Sequence, residues 1–305
     1  MVRVTDEVRR LRRRFAERGE EAHIWEAVQL ARHQDRPYTL DYAKRLFGDV
    51  YELHGDRAVG DDPAIVCAIA RYHGRPVVVI GHQKGRDLAE RTHRNFGMAR
   101  PEGYRKAIRA LDLADRLGYP IVTFIDTPGA YPGIGAEERG QAGMIARSIL
   151  AMGRVGVPVV VCVIGEGGSG GALAIGVGDR VLMQEHAIYS VISPEGCAAI
   201  LWKDADQRRK AAVAFRPTAQ GCLDLGVIDV IVPEPSGGAH RDHDRAARLL
   251  DEAIQAAFVE LGELPPAERR RRRRAKFRAM GVWGTSEGAG AELEPLALAA
   301  EAEPA

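Results

Sequence analysis

Seven residues, Gly165-Glu166-Gly167-Gly168-Ser169-Gly170-Gly171, constrain this chain more than any other stretch. Before them, Val157 to Ile164 is β-branched and nearly uninterrupted, the pattern of a strand buried on both faces. After them, Ala172 to Val177 is small and apolar and suits a buried helix. The expected unit is strand, glycine loop, helix. It sets a row of backbone N–H groups at a helix N-terminus, where orphan donors and the macrodipole favour negative charge. Glycine also permits positive φ and lets a ligand approach the main chain.

Three chemistries fit this one loop. Gly165-x-Gly167-x-x-Gly170 matches the dinucleotide fingerprint, with Glu185 about 20 residues on in the ribose-binding place. Gly167-x-Ser169-x-Gly171 matches the nucleophile elbow, with Asp224 and His240 following in the order Ser…Asp…His. The third is an oxyanion hole made of glycine amides alone, with no titrating side chain. The fingerprint should open the first βαβ unit of a domain, and here several strands precede it.

At 305 residues the chain can bury a sizeable core, and 46% hydrophobic residues is ordinary for a globular protein. A net charge of +1 gives no global pull toward nucleic acid or anionic membranes. Cys67, Cys162, Cys197 and Cys222 are widely spaced and form no C-x-x-C pair, so they read as buried reduced thiols rather than a zinc or disulfide framework. His82, His93, His186, His240 and His243 show no metal-ligand spacing, and no metal site is expected. The arginine-rich start lacks the apolar core of a signal peptide, and no stretch has the roughly 18 apolar residues of a membrane helix. A cytoplasmic protein is the expectation.

Along the chain, residues 1–34 read as a helical arm with a thin apolar stripe, broken at Arg36-Pro37, and Thr39 is the expected cap of a helix from Leu40 to Leu46. Ile65–Ala70 and Pro76–Gly81 read as a hairpin turning at His73-Gly74-Arg75. A helix is expected from Glu102 to Leu117, a strand from Pro120 to Ile125 and a helix from Glu137 to Met152. Successive strand–helix units imply right-handed crossovers, with Asp126–Gly133 and the glycine loop at the carboxyl ends of neighbouring parallel strands. Arg180–Met183 and Ala187–Val191 read as strands. Ser193-Pro194 should open a helix, 205–222 is helical around Pro217, Val227–Pro233 is a last strand, and 243–261 is a patterned helix. The six arginines from Arg269 to Arg274 read as a solvated face of a basic tail, or else as a phosphate or nucleic-acid patch.

Several long motifs occur in one order: Arg36-Pro37-Tyr38-Thr39-Leu40-Asp41-Tyr42, Gly81-His82-Gln83-Lys84-Gly85, Arg94-Asn95-Phe96-Gly97-Met98, Pro101 to Ala107, Asp126 to Gly133, Gly135 to Gln141, Gly165 to Gly178, Tyr189 to Cys197 and Gly237 to Arg241. Across roughly residues 24–283 they closely resemble the α-subunit family of bacterial acetyl-CoA carboxylase carboxyltransferase. The resemblance implies an α/β, crotonase-like (ClpP/crotonase) spiral of ββα units with flanking helices. Resemblance and composition together divide the chain into an arm (1–35), a carboxyltransferase domain (36–262), a basic C-terminal helix (263–283) and, from its Gly, Ala, Glu and Pro content, a disordered tail (284–305).

The implied reaction moves a carboxyl group from carboxybiotin to acetyl-CoA and gives malonyl-CoA, the first committed step of fatty-acid biosynthesis. Biotin would arrive on a separate carrier protein charged by an ATP-dependent biotin carboxylase. A β subunit, in an α2β2 assembly, would carry the zinc and much of the acetyl-CoA site. The family's oxyanion pair falls at Gly170 and Gly171, with Gly167 and Gly168 shaping the loop. Asp126, Thr127, Pro128 and Gly129 are the expected wall of the biotin channel, and Lys84 and Arg86 are candidates for CoA phosphates or the carrier. The alternatives are a stand-alone crotonase-type acyl-CoA hydrolase or isomerase, or a paralogous acyl-CoA carboxyltransferase subunit.

Overall fold

The computed structural model describes residue 19 and residues 21–281. Most of the expected arm upstream of residue 19, and the tail expected over 284–305, lie outside the described residues. Helix α1 covers 21–31, α2 Thr39–Leu46, β1 Gly48–Glu52, β2 Ile65–Tyr72 and β3 Arg75–His82. Then come α3 Leu88–His93, α4 Pro101–Leu117, β4 Ile121–Thr127, α5 Ile134–Glu138, α6 Gln141–Arg154, β5 Val159–Gly168 and α7 Ser169–Leu173. The chain continues through β6 Arg180–Gln184, β7 Ile188–Ser190, α8 Pro194–Leu201, α9 Arg208–Phe215, α10 Ala219–Asp224, β8 Val230–Val232, α11 His243–Gly262 and α12 Pro266–Arg278.

One sheet runs β1-β2-β3-β4-β5-β6-β8, and β7 joins it beside the end of β5. The hairpin β2–β3 turns at His73 and Gly74, both at positive φ (46° and 78°), as a tight hairpin turn of this twist needs. From β3 to β8 the strands pair in parallel. All seven residues of β4 and all ten of β5 are buried, so their β-branched runs serve two faces at once. Val78, Ile80, Val161 and Val163 pack with Tyr104, Leu111 and Met152 from α4 and α6. The alternate residues Val79, Val122, Val160 and Cys162 pack with Tyr42 of α2 and with Leu250 and Ile254 of α11. The sheet is thus the middle of three layers, and the four cysteines are buried and unpaired.

Four expectations need correction. Gly165–Gly168 are strand, not loop: β5 runs on to Gly168 and α7 begins at Ser169 and lasts one turn. The helix expected over 137–152 is cut at Arg139-Gly140, where Gly140 takes a left-handed conformation (φ 81°) and caps α6 instead. The 205–222 segment splits into α9 and α10, because Arg216 goes left-handed (φ 52°) and Pro217 lacks the N–H to continue the helix. Thr39 does not cap α2, since its hydroxyl donates to the His82 carbonyl (2.5 Å) and Asp41 accepts from the Tyr38 N–H (2.9 Å).

The arginine run is also more structural than expected. Arg273 is 1% exposed and forks onto Asp179 (2.9 and 2.6 Å). Its other donors take the carbonyls of Met152, Val155 and Val157, closing the C-terminus of α6 where cations are favoured. Asp179 in turn accepts from the Val159 N–H (2.8 Å) at the start of β5. Arg269 caps the carbonyls of Gly156 and Leu261. Among the described residues, Arg271 and Arg272 meet only Glu268, at the surface.

After α1, Arg36 is fully buried and pairs with the fully buried Glu234 after β8. Burial alone would raise the Glu234 carboxyl, but Arg36, His186 and a backbone N–H hold it well below the ordinary value of 4.5.

Arg273→Met strands the Asp179 carboxylate in the interior and should cost about 3–5 kcal/mol, whereas Arg271→Ala should sit within about 0.5 kcal/mol of wild type in urea unfolding. Glu234 has a depressed folded value, so its contribution is complete above about pH 4.5 and is lost as pH falls through that lower value. Glu234→Gln should therefore lower the melting temperature at pH 7 and flatten its fall below pH 4.5, read by calorimetry across pH.

Candidate active site

β4 and β5 run side by side in register from Ile121↔Val159 to Ile125↔Val163, then slip, so that Thr127 faces Gly167. Two residues pass on β4 while four pass on β5, and the extra length bulges at Ile164–Glu166. Beyond the bulge β5 leaves β6 and pairs with β7. It ends at Gly168, and the chain turns through Ser169 into α7.

Glycine here provides closeness rather than left-handed backbone. A Cβ on Gly168 would collide with the Pro128 carbonyl, and one on Gly171 would lie 2.5 Å from the Ala130 nitrogen. The end of β5 and the first turn of α7 therefore lie directly on the loop that follows β4. The left-handed residue is Ser169 (φ 54°), a conformation that costs a non-glycine residue energy and concentrates at functional sites. Gly170 is different: a Cβ there would make ordinary contact with Ile145 at 3.6 Å.

Gly170 and Gly171 lie in the first turn of α7, where a helix has no acceptor for its own N–H groups. Gly171 is buried and Gly170 half-buried, beside the exposed Ser169. Two neighbouring amides thus lie in a strand-to-helix turn at the carboxyl end of the parallel strands, where open α/β sheets place ligands. Below them the fully buried His82 ring lies near the carbonyls of Phe124 and Gly171, short of bonding geometry. Burial, and then Lys84, push it down to about 3, so it brings no charge at neutral pH.

The expected channel wall is partly a strut. Asp126 is 1% exposed, and its carboxylate accepts from the Glu166 N–H (3.0 Å) and from Lys84 Nζ (2.7 Å). Thr127 is buried and its hydroxyl bridges within the turn to Gly129. Pro128 is half-buried and Gly129 buried, beside Gly168 and Gly171. Lys84 and Arg86, expected to meet phosphates, are committed within the chain. Lys84 binds Asp126 and stands 3.7 Å from Glu166. Burial would favour the neutral amine, but those two carboxylates hold it above the ordinary lysine value. Arg86 pairs with Asp41, bonds the Arg36 carbonyl (3.1 Å) and stacks on Tyr38.

Sequence reasoning gave no role to Arg32 and Glu166. Arg32 bridges Glu166 (2.7 Å) and Glu195 (2.9 Å), tying α1 to β5 and α8. The only hint was a carboxylate set in a glycine run between buried residues.

The hydrolase constellation does not assemble. Asp224 is held by Arg216 (2.6 Å) and Gln220 (2.7 Å), and His240 is stacked on His33 with centroids 3.9 Å apart. The dinucleotide fingerprint also fails, because its first two glycines are inside β5 rather than in a phosphate-binding loop.

Known proteins share this sequence and this architecture. Residues 1–281 match the family described as acetyl co-enzyme A carboxylase carboxyltransferase-like. The acetyl-coenzyme A carboxylase carboxyl transferase subunit alpha of Geobacter sulfurreducens is 60% identical over 256 residues, 84% of this chain and 80% of that one. A Thermus thermophilus protein of the same name is 57% identical over 281 residues, 91% and 89% of the two chains. Among solved structures, transcarboxylase 12S superposes with a TM-score of 0.61 at 21% identity, over 74% of this chain and 42% of that one. A Pseudomonas malonate decarboxylase hetero-tetramer chain reaches 0.61 at 18% identity, over 79% and 95%. These folds bear out the crotonase-like α/β architecture. Sequence kinship, a shared fold and an amide-only turn at the strand ends agree: the chain belongs to the acetyl-CoA carboxylase carboxyltransferase α-subunit family.

Proposed function

We propose that this chain is the α half of a carboxyltransferase that moves a carboxyl group from carboxybiotin to acetyl-CoA, giving malonyl-CoA. The observation that carries the chemistry is the place of the Gly170 and Gly171 N–H groups in the first turn of α7, where the helix has no acceptor for them, at the turn from β5. Such a pair suits a neutral, planar carbonyl that gains negative charge during reaction, because it offers donors without an ion. Lys84 is neutralised by Asp126 and Glu166 and does not compete for that charge. The ureido carbonyl of biotin is such a group, and when bound biotin supplies the transferable carboxyl and a nitrogen able to accept a proton.

The chain's own part is narrow. Gly170 and Gly171 hold the carbonyl oxygen, and Pro128 and Gly129 shape the ground beside it. The rigid β5–α7 turn needs no rearrangement as charge develops, which is where electrostatic catalysis gains most. Acetyl-CoA binding and the zinc belong to the β partner, biotin comes on its carrier protein, and biotin carboxylase recharges it, with α2β2 as the assembly. Cytoplasmic fatty-acid synthesis is the setting that this reaction serves.

Purified alone, the chain should show no malonyl-CoA:biocytin exchange, and adding the β subunit should restore it; acyl-CoA hydrolysis or isomerisation by the isolated chain would favour that class instead. Gly170→Pro deletes one donor at a first-turn position where the helix itself does not use it, and should lower kcat on the order of 10²–10³-fold. Gly170→Ala, which keeps the N–H and finds room beside Ile145, should retain most activity, and both variants should still capture the β subunit.

A further inference from the structure

We propose that Lys84 and Asp126 form a positioning pair that fixes the angle at which β5 delivers the Gly170 and Gly171 amides. The inference rests on the function proposed above and assigns to these two residues a task different from channel wall or phosphate contact.

The bulge at Ile164–Glu166 removes backbone groups from the β4–β5 ladder, and buried groups of that kind must find partners. Both that can be traced go to charged side chains. The Ile164 carbonyl accepts from Arg36 Nε (2.5 Å), and the Glu166 N–H donates to Asp126 Oδ1 (3.0 Å). The Asp126 carboxylate thus stands in for a missing strand carbonyl. It also fills the place where a Cβ on Gly165 would be, so the bulge closes around it.

A carboxylate that is 1% exposed needs a counter-charge, and Lys84 Nζ at 2.7 Å supplies it to the same oxygen that holds the Glu166 N–H. Lys84 comes from beyond the end of β3, so the pair joins the ends of three adjacent parallel strands, β3, β4 and β5. Three residues past Glu166 the chain takes the left-handed turn at Ser169 and enters α7. An error in the direction of the Glu166 peptide is therefore carried about 7 Å along the end of β5, and through the turn to both amides. Misplacement of about 1 Å in a reacting geometry costs on the order of 10²-fold in rate.

The test separates this task from substrate contact by varying charge and acceptor independently, in the complex with the β subunit. Lys84→Met leaves an uncompensated buried carboxylate and should lower kcat on the order of 10²-fold with KM for acetyl-CoA unchanged. Lys84→Met/Asp126→Asn keeps an oxygen for the Glu166 N–H and buries no charge, so it should recover most of the lost rate. Lys84→Met/Asp126→Leu has no acceptor and should not recover. Hydrogen exchange of the 166–171 amides should rise in Lys84→Met and in the Leu double variant, and return toward wild type in the Asn double variant. A raised KM with normal kcat in Lys84→Met, or wild-type exchange at 166–171 in the Leu double variant, would overturn the proposal. The exchange measurement needs no turnover, so it reports on the pair even if the wild-type complex transfers no carboxyl group, a result that would count against the functional reading alone.

Discussion

Everything at the carboxyl end of this sheet follows from one break in a hydrogen-bond ladder. β5 is too long for its neighbours by two residues after Val163, and the surplus cannot be left dry in the core. Arg36 and Asp126 absorb the stranded carbonyl and N–H. Only then can the strand change partners, pairing β6 along its first half and β7 along its second. The change of partner sets the direction of the last glycines, and the direction sets α7 against the loop after β4. The amide site proposed above thus stands on a foundation of buried ions.

That foundation has two groups. Arg32 meets Glu166 and Glu195, Lys84 stands between Asp126 and Glu166, and Arg36 meets Glu234, which also contacts His186. Taken singly, buried ion pairs are weak sources of stability, because desolvation offsets most of the attraction. Their strength is directional: each charged fork has one partner geometry, and a strand end held by several forks has one orientation. Apolar packing, by contrast, tolerates sliding. The division of labour is visible here, with the two faces of the sheet held by Val, Ile and Leu and its carboxyl edge held by Arg, Lys, Asp and Glu.

The layered fold was legible because its signals are local. Uninterrupted β-branched runs such as Val159–Ile164 announce a doubly covered strand, and Ser193-Pro194 announces a helix start that Ser193 indeed caps through the Gly196 N–H (3.0 Å). The bulge was not legible, since two strands that slip against each other carry no mark of it in either sequence. Glycine misled for a related reason. Gly168 and Gly171 are small because of what lies opposite them, Pro128 and Ala130, and not because of their own φ. The one left-handed backbone in the run belongs to Ser169, which no glycine rule would pick. Lys84, Arg86, Arg269 and Arg273 look alike on paper as surface charge, and only the long-range partners Asp126, Asp41, Gly156 and Asp179 reveal otherwise.

Arg273 has a consequence for how the polypeptide is made. Asp179, together with the carbonyls of Met152, Val155 and Val157, sits in the middle of the gene product, while the guanidinium that satisfies them is encoded 94 positions after that acid. During synthesis, which proceeds at roughly 5–20 residues per second, the sheet can gather before that guanidinium exists. Until it emerges from the ribosome, Asp179, just before β6 and bonded to the start of β5, is an acid without that counter-ion. Closing the core over that acid before the last described helix arrives therefore carries the cost of burying a carboxylate without its partner.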